Sequence, residues 1–205
     1  MENTLYQFDM EKGKNIIGVD EAGRGPLAGP VVAAAAKLKN YCERLQEIND
    51  SKKLTEKKRE KLFDVINECF DVGVGIATVE EIDSLNILNA TFLAMRRAIK
   101  NLELEDNEDI LVLVDGNFTI REYSGKQEAV IKGDAKSLSI AAASIIAKVT
   151  RDRMMVAESD KYPEYHFEKH KGYGTKAHRE AILTYGPLDI HRKTFLTKIL
   201  GSNER

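Results

Sequence analysis

The stretch IIGVDEAGRGPLAGPVVAAAAK, residues 16–37, decides the fold. Residues 16–20 are a short apolar run that reads as a buried strand ending at Asp20. Residues 23–30 hold three glycines and two prolines in eight positions and read as a loop. Residues 31–37 supply a second apolar run of strand length, a partner for the first. Asp20 and Glu21 stand where the first strand meets the loop. Neighbours on a regular strand point to opposite faces, so both acids serve one site only if the strand stops there, which the following glycines permit.

Outward from this stretch, strands and helices alternate. Residues 50–53 read as a polar turn, and Thr55 opens a helix with Leu62, Phe63, Ile66 and Phe70 on one face. Residues 72–77 read as a strand, and a long helical pattern covers 79–102. The continuous apolar run 110–114, closed by Asp115, is a strand buried on both faces. A weak strand lies near 129–131, and residues 137–156 form a helix whose Ala141, Ala142, Ala143 and Ala147 allow close approach to a sheet. A further helix is centred on 177–185. The expected class is α/β, a mixed sheet flanked by helices.

The 205 residues suffice for one domain with a sizeable core and a small appendage. A hydrophobic share of 42% and a charged share of 31% fit an ordinary globular chain and exclude a disordered one. The net charge of −2 excludes a wholly basic nucleic-acid coat. Charge is nonetheless uneven. Segments 37–61 and 161–205 each carry nine basic and five acidic residues, whereas 103–109 holds five acids and no base. Any one such run reads as a solvated face, but two basic segments flanking candidate chemistry point to a phosphate-binding surface. Cys42 and Cys69 lack the spacing of a zinc module or a disulfide scaffold, which fits a reducing cytoplasm. The polar N-terminus has no apolar signal core, and no apolar run approaches the roughly 18 residues of a membrane span, so a cytoplasmic protein is expected.

Acids at strand ends carry the candidate chemistry. Asp20, Glu21 and Asp115 close apolar runs, and Asp134 precedes the alanine-rich helix. Carboxylates at the carboxyl ends of strands in an α/β sheet sit where ligands bind, and they are hard oxygen donors for Mg²⁺ or Mn²⁺. Taken singly, Asp115 reads equally as a strand-to-turn exit, and Asp134 as a helix cap. Gly23-Arg24-Gly25 allows close backbone approach to a ligand and offers a planar fork for phosphate, though alone it is also an ordinary turn. Tyr173, between Gly172 and Gly174, reads either as an exposed stacking ring or as a loop plug. There is no phosphate-cradling glycine motif. His166 and His170 lack the zinc-protease pattern and read as non-ligands.

With these residues in view, the chain resembles the ribonuclease HII family. The likeness runs from Gly18 to about Phe195 and rests on GVDEAGRGPLAGPVV at 18–32, DSKKL at 50–54 and VDG at 114–116. It continues through KGDAKSLSIAAASIIAK at 132–148, KGYGT at 171–175 and IHR at 190–192. The related ribonuclease HIII has a Gly-Lys-Gly loop in place of Gly-Arg-Gly and an extra N-terminal domain not expected here. The resemblance implies a ribonuclease H-like core over residues 1–160 and a C-terminal helical, basic extension over 161–205 packed on it. It implies that Asp20, Glu21, Asp115 and Asp134 are catalytic and hold two divalent ions, Mg²⁺ or Mn²⁺. It implies substrate contacts from Gly23, Arg24 and Gly25 to the ribose 2′-hydroxyl, from Ser51, Lys52 and Lys53, and from Tyr173 stacked on the sugar at an RNA-to-DNA junction. The implied partners are RNA–DNA hybrids and ribonucleotide-containing duplex DNA, cut by a monomer that leaves 3′-hydroxyl and 5′-phosphate ends. A junction resolvase on the same fold would share the acids but not need the 2′-hydroxyl loop. A non-catalytic binding module would not need the acids.

Overall fold

The structure, a computed structural model, describes residues 3–13, 15–48, 54–102, 104 and 109–201. Five strands form one sheet: β1 (Ile16–Ala22), β2 (Val31–Leu38), β3 (Phe70–Ala77), β4 (Leu111–Asp115) and β5 (Gln127–Val130). Their order is β3-β2-β1-β4-β5, with β1–β2 and β2–β3 antiparallel and β1–β4 and β4–β5 parallel. The mixed sheet is thus as the sequence implies. The eight helices of the described residues are α1 (Thr4–Lys12), α2 (Glu56–Cys69), α3 (Val79–Leu85), α4 (Ile87–Lys100), α5 (Leu138–Lys161), α6 (Phe167–His170), α7 (Lys176–Tyr185) and α8 (Lys193–Leu200).

Alternation along β1 sorts its side chains. Ile17 and Val19 enter the core with Ala94, Met95 and Ala98 of α4. Ala34 and Ala36 of β2 face the opposite layer, with Leu62 and Ile66 of α2 and the alanines of α5. Gly18 lies on the α5 side, where a Cβ would stand 2.1 Å from the Ser139 carbonyl carbon. Small residues on sheet and helix together bring α5 almost onto the backbone of β1. Ser137, not Asp134, caps α5, its hydroxyl accepting from the Ile140 N–H at 3.2 Å. Asp9 of α1 also accepts from the Ser139 N–H at 2.8 Å, tying the N-terminal helix to the start of α5.

Several boundaries differ from the sequence reading. β1 does not stop at Asp20 but continues to Ala22, pairing Asp20 with Ala34 and Glu21 with Ala33 of β2. Phe70 is not on the face of α2. It is the first residue of β3, with extended backbone (φ −123°, ψ 152°), so helix passes to strand without a loop. The pattern over 79–102 is two helices, broken at Asn86. There φ is 68°, and the side-chain oxygen accepts from the N–H groups of Leu88 (3.0 Å) and Asn89 (3.1 Å). Asparagine tolerates this left-handed geometry and caps the next helix, so the apolar spacing runs through a break that periodicity does not register.

The C-terminal helices gather around Leu27, Ala28 and Met155 in an apolar cluster of their own. Residues 27–29 are stitched to them by backbone bonds: Leu27 N–H to Gly172 C=O, Gly29 N–H to Ile190 C=O and Arg192 N–H to Leu27 C=O, each 2.8 Å. Cys42 and Cys69 are free thiols that share a hydrogen bond at 3.1 Å. No helix among the described residues is long and apolar enough to cross a membrane.

The contact of β1 with α5 gives a direct test. Gly18→Ala must push α5 off the sheet, so the variant should lose about 3 kcal/mol, the upper end of overpacking costs, read as a lowered urea midpoint. An unchanged midpoint would mean that α5 does not press on β1.

Candidate active site

The ends of β1 and β4 bring the acids together. β1 and β4 run in parallel register as far as Val19 beside Val114. Asp20 and Asp115 are the next residues on each strand and end up side by side. β4 stops at Asp115, so Glu21 extends beyond its neighbour strand, free to reach the same cleft although it leaves β1 on the opposite face. Asp20, Glu21, Gly23, Arg24, Gly25, Asp115 and Tyr173 line that cleft, together with Arg59, Ser144 and Lys148. Asp134 is not among the lining residues; it is buried on a short 3₁₀ turn (Gly133–Ala135). Asp115 Oδ1 accepts from the Gly133 N–H at 2.6 Å, with the Asp134 nitrogen 3.4 Å away, so the turn carrying Asp134 is anchored on Asp115. Ser51, Lys52 and Lys53 lie outside the described residues.

Two arginines to which the sequence reading assigns no role, Arg192 standing there only within the IHR motif, hold the loop over the cleft. Arg151 of α5 and Arg192, which precedes α8, are 1% and 0% exposed. Arg192 donates to the carbonyls of Arg24 (2.9 Å), Gly23 (2.5 Å) and Gly29 (2.8 Å). Arg151 donates to those of Pro30, Ala28 and Lys171, each at 2.9 Å. Burial lowers both guanidinium pKa values, Arg192 to about 9, with the charge of Arg151 adding to the effect. Gly23 has φ +95°, and a Cβ there would meet Arg151 Nε at 2.0 Å, so only glycine lets the arginine reach the loop. The sequence gives no sign of this, because an arginine is usually read as a surface residue.

Tyr173 is 43% exposed, so its ring is presented and does not plug the loop. Its Cε1 lies 3.8 Å from where a Cβ on Gly25 would stand, which places the ring beside Gly23-Arg24-Gly25. The Arg151 guanidinium is 5.9 Å from the ring centroid.

Burial pushes the Asp20 carboxyl well above the usual range, and the charges of Glu21 and Asp115 push the same way. Glu21 is raised by burial and by Asp115, against the opposing charge of Arg24. Such a cluster is costly without a counter-charge: two unit charges 4 Å apart repel by about 4 kcal/mol at an effective dielectric of 20. Among the described residues, no three such side chains are close enough to hold an ion as they stand. Each is turned to a donor of the protein. Asp20 Oδ1 accepts from the Glu21 N–H at 2.7 Å, Glu21 faces Arg24 at 3.5 Å, and Asp115 is held by Gly133. The donor set and the raised carboxyls fit a hard divalent cation, which would relieve the repulsion that burial enforces.

The same repulsion predicts a stability effect. Asp20→Asn removes one charge and should raise the thermal midpoint in metal-free buffer, while Mg²⁺ should stabilise the parent more than the variant. A lowered metal-free midpoint would show that Asp20 is held mainly by favourable bonds.

Comparisons with known proteins identify the family of the chain. The family model described as Ribonuclease HII matches residues 17–198. A ribonuclease HII of Fusobacterium nucleatum is 68% identical over 206 residues, covering 100% of this chain and 95% of the relative. Among solved structures, ribonuclease H2 of Pyrococcus horikoshii superposes with a TM-score of 0.71 at 34% identity, over 90% of this chain and 96% of that one. The ribonuclease HII of a PCNA:RNase HII complex from Archaeoglobus fulgidus gives 0.73 at 27% identity, over 89% and 94%. With its acids at the strand ends and its sequence matched almost from end to end, this chain belongs to the ribonuclease HII family.

Proposed function

We propose that this chain, a metal-dependent endoribonuclease by its family, hydrolyses the RNA strand of RNA–DNA hybrids. It also incises on the 5′ side of single ribonucleotides embedded in duplex DNA, leaving 3′-hydroxyl and 5′-phosphate ends. One observation carries the reading: a cleft lined by Asp20, Glu21 and Asp115 is walled by a glycine-rich backbone loop and an exposed aromatic ring. The ring and loop would have little use in a nuclease indifferent to the sugar.

Asp20, Glu21, Asp115 and Asp134 are the residues to hold two Mg²⁺ or Mn²⁺ ions. When bound, such ions provide a nucleophilic water and stabilise the departing oxygen of an in-line displacement. The chain's own residues do the rest. Gly23 and Gly25 let the backbone touch the ribose, where the 2′-hydroxyl is the local mark that separates RNA from DNA. Arg24 presents its fork to the phosphate, and the ion pair with Glu21 at 3.5 Å keeps it at the cleft until substrate arrives. Lys148 is paired with Asp152 at 2.6 Å and adds positive charge on the wall formed by α5. Tyr173 stacks on the sugar that follows the ribonucleotide, and Ser51, Lys52 and Lys53 contact the substrate backbone.

The deciding experiment compares a duplex bearing one embedded ribonucleotide with an all-DNA four-way junction, each with Mg²⁺ and with chelator. Cleavage of the first alone, abolished by chelator, is expected; cleavage of the junction would favour a resolvase. Asp115→Asn keeps the shape and removes one ligating charge, so cleavage should fall on the order of 10³-fold or more while the fold survives. Tyr173→Ala should cut activity on the embedded ribonucleotide by roughly 10- to 100-fold, since a stacked contact is worth about 1–3 kcal/mol. Tyr173→Phe should keep most of it. A folded, fully active Tyr173→Ala would remove the tyrosine from substrate recognition.

A further inference from the structure

Three histidines next to the Tyr173 backbone form a cluster whose tautomers are dictated by the backbone. His191 Nδ1 accepts from the Leu188 N–H at 2.8 Å, so its proton sits on Nε2. That nitrogen faces His178 Nε2 at 3.0 Å, which is therefore the acceptor. His178 carries its own proton on Nδ1 and donates it to the Tyr173 carbonyl at 2.9 Å. His170 lies flat against His178, with centroids 4.4 Å apart and planes 15° from parallel. Its Nδ1 accepts from the Gly172 N–H at 3.2 Å, and its Nε2–H donates to the Tyr165 carbonyl at 2.7 Å.

All six ring nitrogens thus have partners. His178 and His191 are buried, and burial pushes both down to about 4, so both are neutral at pH 7. A layer of buried polar rings is expensive unless every group is satisfied, and an apolar layer would fill the same space without direction. What the polar layer adds is direction: its bonds end on backbone groups of Tyr165, Gly172, Tyr173 and Leu188, two of them, the Gly172 N–H and the Tyr173 carbonyl, on either side of the Gly172–Tyr173 peptide. The Tyr173 N–H adds a third tether, donating to the His170 carbonyl at 2.9 Å.

We infer that His178 and His191, with His170 stacked on His178, are positioning residues that fix the Tyr173 backbone and so aim its ring over Gly23-Arg24-Gly25. The inference rests on the reading of Tyr173 as a substrate contact. The glycines on either side of Tyr173 bring no side chains of their own, so the course of the segment rests on backbone bonds. Arg151, Leu27 and Arg179 hold Lys171, Gly172 and Gly174, and among the side-chain bonds here it is His178 that reaches the carbonyl of Tyr173 itself.

The test has a spectroscopic arm and a kinetic arm. ¹⁵N imidazole spectra of the parent at pH 7 should show His178 as the Nδ1–H tautomer and His170 and His191 as Nε2–H; any other assignment overturns the relay. His178→Leu fills the space but removes the donor to Tyr173. It should raise KM for a duplex with one embedded ribonucleotide about tenfold, the scale of a lost stacking contact, and leave kcat nearly unchanged. His178→Asn keeps an N–H near the position of Nδ1 and should recover most of that loss. If it is instead as impaired as Tyr173→Ala, the relay is overturned, and this variant decides should His178→Leu fail to fold. In a Tyr173→Ala background, His178→Leu should add little, because there is no ring left to aim. A further tenfold loss there would overturn the proposal, since the histidines would then act by another route. Full activity of Tyr173→Ala alone would instead remove the reading on which the proposal stands, a result distinct from additive losses.

Discussion

The loop over residues 23–30 is shaped by two buried guanidinium groups that spend their donors on main-chain carbonyls. Arg151 and Arg192 together bind the carbonyls of Gly23, Arg24, Ala28, Gly29, Pro30 and Lys171. Charge taken out of water costs several kcal/mol per ion unless its hydrogen-bonding capacity is met. Here carbonyl dipoles meet it, and a fork with five N–H donors can hold several carbonyls at once where a lysine could not. The loop in turn has no regular ladder of its own across these residues, so its carbonyls need those donors. Each party satisfies the other, and the chain from residue 171 onward is bound to the loop in the process.

This constraint explains which parts of the molecule were legible in the sequence. The two strands around residues 16–37 and the alanine-rich helix α5 show in their periodicity, because burial on a sheet face leaves a pattern. Asp20, Glu21 and Asp115 show because strand ends are where an α/β sheet presents ligands. Asn86 hides a helix break because its cap preserves the apolar spacing, and Phe70 is misread because one residue serves both as helix end and strand start. Helices α1, α6 and α8 leave no readable pattern: the apolar residues of α1 are spread around it, α6 is four residues long and α8 eight. Arg151 and Arg192 act by contacts with distant chain, and His178 meets His191 thirteen positions on, for which local pattern carries no signal. Ser51, Lys52 and Lys53 belong to the reading from resemblance and lie outside the described residues.

Small residues do comparable work on the other wall of the cleft. Gly18 on β1 and Ala34 and Ala36 on β2 face the alanines of α5, so helix and sheet approach closely. Ser144 and Lys148 are then one helical turn apart on the side of α5 that borders the acids. Ser144 lies close enough to Asp20 to hydrogen-bond its side chain and lower its pKa, partly opposing the rise caused by burial. A bulkier helix would move these side chains outward and admit water between Asp20 and the wall.

The same rigidity governs the cost of the acids. Carboxylates on mobile loops separate when their charges repel, and the repulsion dissipates into solvent. Asp20 cannot move in that way: its strand is paired with β2 at this residue and with β4 up to the residue before it, its face is pressed by α5, and it is nearly excluded from water. Glu21 moves only as far as Arg24, and Asp115 is pinned by the Gly133 N–H. Burial first, and repulsion with it, therefore keep the carboxyls of Asp20 and Glu21 raised in the fold. A site whose backbone holds like charges near one another has already met part of the cost of arranging them, and a divalent ion would still have to turn Asp20, Glu21 and Asp115 away from the Glu21 N–H, Arg24 and the Gly133 N–H. Part of the stability of the sheet is thereby given over to function.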